Sequence, residues 1–266
     1  MIDYLSLIIN LTPNKDYLEY HGEIIDDKSR KNIYRFMCKL PKALVLFYPH
    51  KFNDERNAKI TFTKVIVNPK DFTCYEELES HLFALFDEDV TAKDFIISRI
   101  DIAADMEGLL GESLLATVNI KHIRTDTFSF YRGTIYGGSS PRIRIYDKVK
   151  EIKARIRKDI QVTEYERSLV DSGKRWTRFE IQIRKSNKTL QDMIDNYEGF
   201  ASQYDRLEIF KNDGHDQSGV MQIIYKNVNR KFRKQLDELK DNDFVEQIKA
   251  RYIEGVKKWF IPKETF

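Results

Sequence analysis

Three short stretches of the sequence combine the alternation of a β-strand with polar side chains that could act on a phosphate group. On a strand, alternate side chains share a face, so the polar residues of each stretch project together while the apolar ones enter the core. These faces carry Asp101 and Asp105 in "IISRIDIAADM", Arg142, Arg144, Tyr146 and Lys148 in "RIRIYDK", and Arg178 and Glu180 in "RWTRFEIQIRK". If the three strands are neighbours in one sheet, carboxylates, cations and a phenol converge.

Such a convergence would suit metal-assisted attack on a phosphodiester. Hard cations such as Mg²⁺ and Mn²⁺ prefer carboxylate oxygens, so Asp101, Glu180 and, less directly, Asp105 are the candidate metal ligands. The phenol of Tyr146 could be the nucleophile, because Arg144 and Lys148 would favour the phenolate and neutralise charge on the phosphate. The three stretches therefore predict a site for phosphoryl transfer.

Each of these features also has a purely structural explanation. Tyr146 is one of 14 tyrosines, and most tyrosines pack or donate a hydrogen bond. Asp101 and Glu180 could form cross-strand ion pairs with arginines. The segment "YGGSSPR" could be a turn and nothing more, since its residues favour turns for backbone reasons. Periodicity alone leaves both explanations open.

The elements that would position these residues are strands mixed with helices. Strand-like alternation recurs from "YLSLIINL" to "RWTRFEIQIRK", and helical spacing appears in "CYEELESHLFALF", in "KEIKARIRKD" and in most of the C-terminal region. We expect an α+β fold, with a mainly antiparallel sheet core, packed helices and a basic helical C-terminal region. The polar loop "FKNDGHDQSG" predicts a core over residues 1–210 and a smaller helical region over residues 211–266, unless that region packs as part of one domain.

Composition narrows the class of protein. The chain has 266 residues, 41% of them hydrophobic, and a net charge of +3, so it is globular and must attract any polyanion through local clusters of charge. The two cysteines fit no metal-ligand pattern, which favours a reducing cytoplasm, and no apolar run is long enough to span a bilayer. Nucleotide-binding glycine motifs, catalytic serine motifs and paired histidines are absent from the sequence.

Basic residues cluster in two places. Residues 142–158 carry eight Lys or Arg against two Asp or Glu, and "YKNVNRKFRKQLDELK" interleaves cations with Tyr225 and Phe232. Both clusters suit a surface that follows a nucleic-acid backbone, although a solvated helix face has the same composition. The predicted DNA-binding residues are Arg142 and Arg178 in the strands, and Arg230, Lys231, Arg233 and Lys234 in the second cluster.

Three pieces of the chain occur in a fixed order, namely "SRIDIAADM", "TIYGGSSPRIRIYDKVKE" and "RWTRFEIQIRK". They resemble the Rep_trans replication initiation proteins of rolling-circle plasmids and related mobile elements. In that family the pattern is an Arg-hydrophobe-Asp strand, a turn leading to Arg-x-Tyr-x-Lys, and an Arg-x-Glu strand. The resemblance covers roughly residues 97–185, and the turn departs from the pattern because it reads "GGSSPR" here.

The resemblance implies a nicking and joining enzyme that acts at a double-strand plasmid origin. Tyr146 would attack the phosphate and become joined to the 5′ end, leaving a 3′ hydroxyl that primes synthesis, and Tyr136 is the competing tyrosine. The family further implies a divalent metal, Mg²⁺ or Mn²⁺, a homodimer, a host helicase as partner, and origin recognition near the C-terminus. Its substrates would be duplex origin DNA and the melted strand, in a bacterial cytoplasm and away from membranes.

Other functions remain open on the residues alone. The chain could be the relaxase of an integrative element of the same family, or a non-catalytic, sequence-specific DNA-binding protein in which Tyr146 is structural. It could also be a hydrolytic nuclease that uses Asp101, Asp105 and Glu180 with water as the nucleophile. A covalent protein–DNA adduct that depends on a divalent metal would distinguish a tyrosine nucleophile from the last two functions.

Overall fold

The computed structural model describes residues 1–27, 33–49, 62–87, 89–108, 113–115, 120–124, 129–132, 142–184, 186–207, 209–211 and 240–260. The chain divides into two compact units. The N-terminal unit comprises Ile2–Asp101, Arg184–Tyr197 and Val256–Phe266, and the central unit comprises Met1, Ile102–Ile183 and Glu198–Gly255. The predicted break near Phe210 is not a boundary between these units. Most of the sequence behind it, residues 212–239, lies outside the described residues.

Strands and helices alternate along the chain. In order, the elements are β1 (Ile2–Ile9), α1 (Lys15–His21), β2 (Glu23–Asp26), β3 (Tyr34–Lys39), β4 (Ala43–Pro49), β5 (Thr63–Val67), a 3₁₀ helix (Pro69–Asp71), α2 (Tyr75–Phe83), β6 (Ile96–Glu107), β7 (Ser113–Leu115), β8 (Ile120–Arg124), β9 (Ser129–Arg132), β10 (Arg142–Asp147), α3 (Lys148–Ile156), α4 (Glu164–Asp171), β11 (Trp176–Arg184), α5 (Leu190–Asp195), a second 3₁₀ helix (Glu198–Arg206), β12 (Ile209–Lys211) and α6 (Asn242–Phe260). This mixture of a sheet and helices confirms the predicted α+β class.

The N-terminal unit is a sheet whose strands follow the order β2-β3-β4-β5-β1-β6. The pairs from β2 to β1 are antiparallel. One face is apolar because alternate residues of β4 and β5, and Leu5, Leu7 and Ile9 of β1, are buried, and α1 and α2 add further fully buried leucines to the same core. The residues that alternate with this apolar set form the second face of the sheet.

The central unit contains the second half of β6 and the strand order β6-β11-β10-β9-β8, with β7 paired to β12 separately. Its core face carries Ile145 and Phe179, and the ring of Phe179 lies 5.8 Å from that of Phe244 in α6. Helix α6 has 19 residues and buries one side at helical spacing, including Ile248 and Tyr252. No helix among the described residues is long and apolar enough to cross a membrane.

Two helix starts shape the polar side of the central unit. The side chain of Asp147 accepts a hydrogen bond from the backbone N–H of Lys150 at 2.9 Å, so Asp147 ends β10 and caps α3. Lys148 is therefore the first residue of α3, and its predicted place on the strand face beside Tyr146 is wrong. Helix α4 begins with a capping box in which Thr163 and Glu166 bond each other's backbone N–H groups.

Replacing Gly22 with alanine should destabilise the fold. Gly22 follows α1, and a Cβ atom there would lie 2.5 Å from the backbone oxygen of Lys39 and 2.9 Å from Sγ of Cys38. Because backbone has to move to relieve this overlap, we expect Gly22→Ala to lower the free energy of unfolding by about 1–3 kcal/mol in urea titrations.

The matched control is Gly255→Ala in α6. Its Cβ atom would lie 3.3 Å from the backbone nitrogen of Met1, a milder approach than at Gly22, and alanine is favoured over glycine inside a helix by about 0.5–1 kcal/mol. The free energy of unfolding of Gly255→Ala should therefore equal that of the wild type or be slightly higher. Equal losses in the two variants would contradict the close approach at Gly22.

Candidate active site

The polar face of the central unit is set by the register of β10 and β11. In this antiparallel pair Arg144 lies opposite Glu180, and Tyr146 lies opposite Arg178. Alternate residues of a strand share a face, so these four side chains project from one side of the pair and the buried isoleucines project from the other. The structure thus brings the predicted tyrosine, an arginine and a carboxylate together.

Arg144, Tyr146 and Glu180 form one hydrogen-bonded cluster. Nη2 of Arg144 donates to both carboxylate oxygens of Glu180, and the phenol of Tyr146 donates to Oε2 of Glu180 at 3.2 Å. The guanidinium carbon of Arg144 lies 5.6 Å from the centre of the Tyr146 ring. The Glu180 side chain is fully buried, whereas 32% of the Arg144 side chain is exposed. The carboxylate is therefore fixed inside the protein, while the cation beside it can reach solvent.

Asp105 and Arg178 form a second, fully buried ion pair. Nε of Arg178 donates to Oδ1 of Asp105 and Nη2 donates to Oδ2, both at 2.7 Å, and the phenol of Tyr165 donates to Oδ2 at 2.9 Å. Burial alone would raise the pKa of Asp105, but the charge and hydrogen bonds of Arg178 outweigh it and hold that pKa below its ordinary value. Only 1% of Arg178 is exposed and its guanidinium is committed to Asp105, so its role in DNA binding stays a prediction from the sequence.

Lys148 is also committed to carboxylates rather than to the phenol. Its Nζ donates to Oε2 of Glu151 at 2.7 Å and to Oε1 of Glu166 at 3.0 Å, and its side chain is 2% exposed. Glu166 also accepts from Nη1 of Arg155 at 2.7 Å and, at its other oxygen, from the N–H of Thr163. The network joins α3 to α4, so Lys148 has a structural position and is not an exposed cation at the site.

The remaining predicted residues are distributed differently. Asp101 belongs to the N-terminal unit, where Arg99 donates to both of its oxygens, with Nε to Oδ1 at 2.8 Å. The backbone of Arg142 pairs with Gln182, but its side chain lies outside the described part of the structure. Also outside it are Tyr136, the glycine-serine turn, and the predicted DNA-binding residues Arg230, Lys231, Arg233 and Lys234.

The three carboxylates differ in their fit to a divalent metal. Asp105 does not fit, because Arg178 and Tyr165 already occupy its oxygens in a buried setting. Asp101 and Glu180 accept from arginines whose side chains are 28% and 32% exposed, so solvent reaches the arginine partner of each carboxylate. Their oxygens are donors that Mg²⁺ and Mn²⁺ prefer. Within the described ranges, no group of three or more His, Cys, Asp or Glu residues is arranged to hold a metal ion.

Sequence reasoning missed the contribution of α4. Tyr165 completes the Asp105 pair and Glu166 neutralises Lys148 and Arg155, yet neither residue lies in a strand-like stretch. The signal that could have drawn attention to this segment is "TEYE", in which Thr163 and Glu166 have the spacing of a capping box. It predicts the start of a helix, but not the strand against which that helix packs.

Comparison of the chain with protein-family models, with curated proteins and with solved structures finds no match. The resemblance to rolling-circle initiators therefore stays a prediction that rests on the three sequence pieces.

Replacing Asp105 with asparagine should destabilise the protein by about 3–5 kcal/mol at pH 7, because the buried guanidinium of Arg178 loses its counter-charge. The pKa of Asp105 is lowered by folding, so its stabilisation is complete above the unfolded value of about 3.9 and is lost as the pH falls through the lower folded value. The difference in free energy of unfolding between the wild type and Asp105→Asn, measured in urea titrations, should therefore become smaller below about pH 4.

The matched control for this prediction is the double variant Asp105→Leu with Arg178→Met. It removes both charges together, so it should recover much of the stability lost by the single change. A double variant as unstable as the sum of the two single variants would show that the residues do not act as a pair.

Proposed function

We propose that the chain is a DNA nicking and joining enzyme with Tyr146 as its nucleophile, and that it initiates rolling-circle replication of a bacterial plasmid. The observation that carries this proposal is the hydrogen bond from the Tyr146 phenol to Glu180, at 3.2 Å, beside the partly exposed guanidinium of Arg144. A nucleophile, a proton acceptor and a cation for phosphate thus lie within one small cluster.

Glu180 is suited to take the phenolic proton. As the oxygen of Tyr146 attacks phosphorus, the proton passes to the Glu180 carboxylate and a bond forms between tyrosine and the 5′ phosphate. The bond from phosphorus to the 3′ oxygen breaks, and that oxygen leaves as a hydroxyl after receiving a proton from water. The ester linkage is conserved in this exchange, so attack by a 3′ hydroxyl on the phosphotyrosine can rejoin the strand without ATP.

Arg144 can link DNA binding to the activation of Glu180. In the structure its guanidinium neutralises the buried carboxylate. An arriving phosphate competes for the same planar donors, which match phosphate oxygens in a bidentate manner. When Arg144 turns toward the phosphate, Glu180 loses part of its neutralising charge and becomes a better acceptor for the proton of Tyr146.

A divalent metal forms part of the proposal. Within the central unit Glu180 is the residue that would hold it, on the strength of its carboxylate oxygens and of its partly exposed arginine partner. Asp101 belongs to the N-terminal unit, and its role as a metal ligand stays a prediction from the sequence. When bound, Mg²⁺ or Mn²⁺ would neutralise charge that develops on the phosphoryl oxygens. Asp105 is not a proposed metal ligand, because Arg178 and Tyr165 already donate to its oxygens.

The exposed side of α3 supports an interaction with duplex DNA. Lys148 and Arg155 pair with carboxylates, but the other cations of this segment, Lys150, Lys153, Arg157 and Lys158, are exposed. A row of exposed cations suits the phosphates of a duplex origin. The family resemblance alone further implies a homodimer that acts in the cytoplasm and recruits a host helicase to the melted strand.

Tyr146→Phe should abolish the covalent adduct while leaving DNA binding within a few-fold, because only the hydroxyl is lost. The measurement is recovery of protein joined to a 5′-labelled strand after denaturation, with supercoiled origin DNA and Mn²⁺ or Mg²⁺ present. A chelator should suppress the wild-type adduct. Tyr20→Phe, on α1, where 84% of the tyrosine is exposed, is the matched control and should retain activity.

An adduct that forms at the wild-type rate in Tyr146→Phe would contradict Tyr146 as the nucleophile and point to Tyr136. Strand cleavage without any adduct would favour the hydrolytic nuclease. Binding with neither cleavage nor adduct in the wild type would favour the non-catalytic DNA-binding protein, which the three arginine-paired carboxylates also suit.

Arg144→Lys and Lys148→Met should separate the working cation from the structural one. Arg144→Lys keeps the charge beside Glu180 but loses the planar donors, so adduct formation should fall by roughly 10²-fold with little change in stability. Lys148→Met removes one partner of buried Glu166 and should cost about 1–3 kcal/mol of unfolding free energy, while the folded fraction still forms adduct. Loss of the adduct in Lys148→Met at unchanged stability would instead make Lys148 catalytic.

A further inference from the structure

A cluster of three cations beside a tyrosine lies in the N-terminal unit, on the sheet face opposite the apolar core. Tyr4 belongs to β1, Lys64 to β5 and Arg99 to β6, three strands that are neighbours in the order β5-β1-β6. Arg184, the last residue of β11, belongs to the same unit. Neither the predicted site residues nor the proposed nicking reaction uses Tyr4, Lys64 or Arg184.

Arg99 is held in place by two neighbours. Its guanidinium carbon lies 4.0 Å from the centre of the Tyr4 ring, and Asp101 accepts from its Nε and Nη2. Stacking on an aromatic face and a paired carboxylate together fix the plane of a guanidinium, which has five N–H donors in all. Tyr4 is therefore a positioning residue for Arg99.

Lys64 lies close enough to the two arginines to be repelled by both. Burial lowers the pKa of Lys64 most, and the charges of Arg99 and Arg184 lower it further. The same two arginines act on the phenol of Tyr4, whose pKa burial raises. The positive charges of this cluster thus oppose one another, and an anion bound among them would offset that repulsion.

The depth of the cluster indicates what kind of anion can reach it. Lys64, Arg99 and Tyr4 are all half-buried on the sheet, and only Arg184 is exposed. A duplex is a stiff cylinder whose phosphates meet protruding side chains best, whereas a single strand can bend its backbone onto a recessed sheet face and follow a line of cations. The exposed cations of α3 protrude and suit a duplex, whereas the half-buried cluster on the sheet suits a single strand.

We propose that Lys64, Arg99 and Arg184 bind phosphodiester groups of single-stranded DNA other than the phosphate that is attacked. This inference rests on the proposed function, because it assigns the cluster to the melted strand of the same substrate. The strand would be held there by its backbone, which carries no base information, so the site should accept any sequence.

The test is equilibrium binding of a short, fluorescently labelled oligothymidylate to the full chain carrying Tyr146→Phe, so that no strand is consumed. In that background, Lys64→Gln and Arg184→Gln should each weaken binding by roughly five- to tenfold and lower the slope of log affinity against log salt by about 0.7. Lys64→Arg keeps the positive charge and should retain the affinity and the salt slope of the parent protein. The matched control is Lys15→Gln on α1, where 66% of the lysine side chain is exposed, and it should change neither.

A second arm uses a duplex of the same length. Its binding should change little in Lys64→Gln and Arg184→Gln but should weaken in Lys153→Gln on α3. Equal losses on the duplex and on the single strand would overturn the assignment to single strands. Unchanged affinity and salt slope in both variants, or a parent protein that does not bind oligothymidylate, would overturn the site itself.

The outcome is separable from that of the proposed function. If the wild-type chain forms no covalent adduct but the oligothymidylate binding depends on Lys64 and Arg184, the nicking proposal fails and the binding site stands. If the adduct forms and the variants bind like the parent, only the binding site fails. Circular dichroism and urea titration of each variant confirm that folded protein is being compared.

Discussion

The buried ion pair between Asp105 and Arg178 is the constraint on which the polar side of the central unit depends. It joins β6 to β11 with two hydrogen bonds of 2.7 Å, and Tyr165 of α4 closes it. A pair of charges so deeply buried is stable only in one geometry, so it holds β11 in a single position. That position places Glu180, two residues further along the strand, beside the phenol of Tyr146. The candidate nucleophile thus depends on a pair that touches no substrate.

Exposure separates two kinds of arginine–carboxylate pair in this protein. The Arg178 side chain is 1% exposed and its partner Asp105 is fully buried, so separating them has a large electrostatic cost. Arg144 also pairs with a buried carboxylate, but it is 32% exposed and can exchange that carboxylate for a phosphate with less desolvation. Chemical type alone would assign the two arginines the same role. Their depth assigns one to the framework and the other to the proposed reaction.

Alternation in the sequence predicted which side chains share a face, but not how deep that face lies. A strand period of two residues predicted that Tyr146 shares a face with Arg144, and Glu180 with Arg178, without tertiary information. It did not predict that the two strands pair, nor that Arg178 is buried against Asp105. Lys148 was predicted to lie on the strand because it continues the alternation of polar residues. Asp147 instead caps α3, so the strand ends before Lys148. The division into two units depends on contacts far apart in sequence, which no local pattern contains.

The join between β10 and α3 has a mechanical consequence. A strand end held covalently on Tyr146 would be pulled whenever a helicase or polymerase moves along the DNA, and the tension would enter the protein at that side chain. From there it passes into β10, which shares it with β9 and β11 as shear across several hydrogen bonds, the arrangement in which a sheet resists force best. The rest of the tension would reach α3, which begins two residues after the tyrosine. There the Lys148–Glu166 ion pair joins α3 to α4. If the proposed adduct forms, this segment has to withstand tension as well as position the nucleophile.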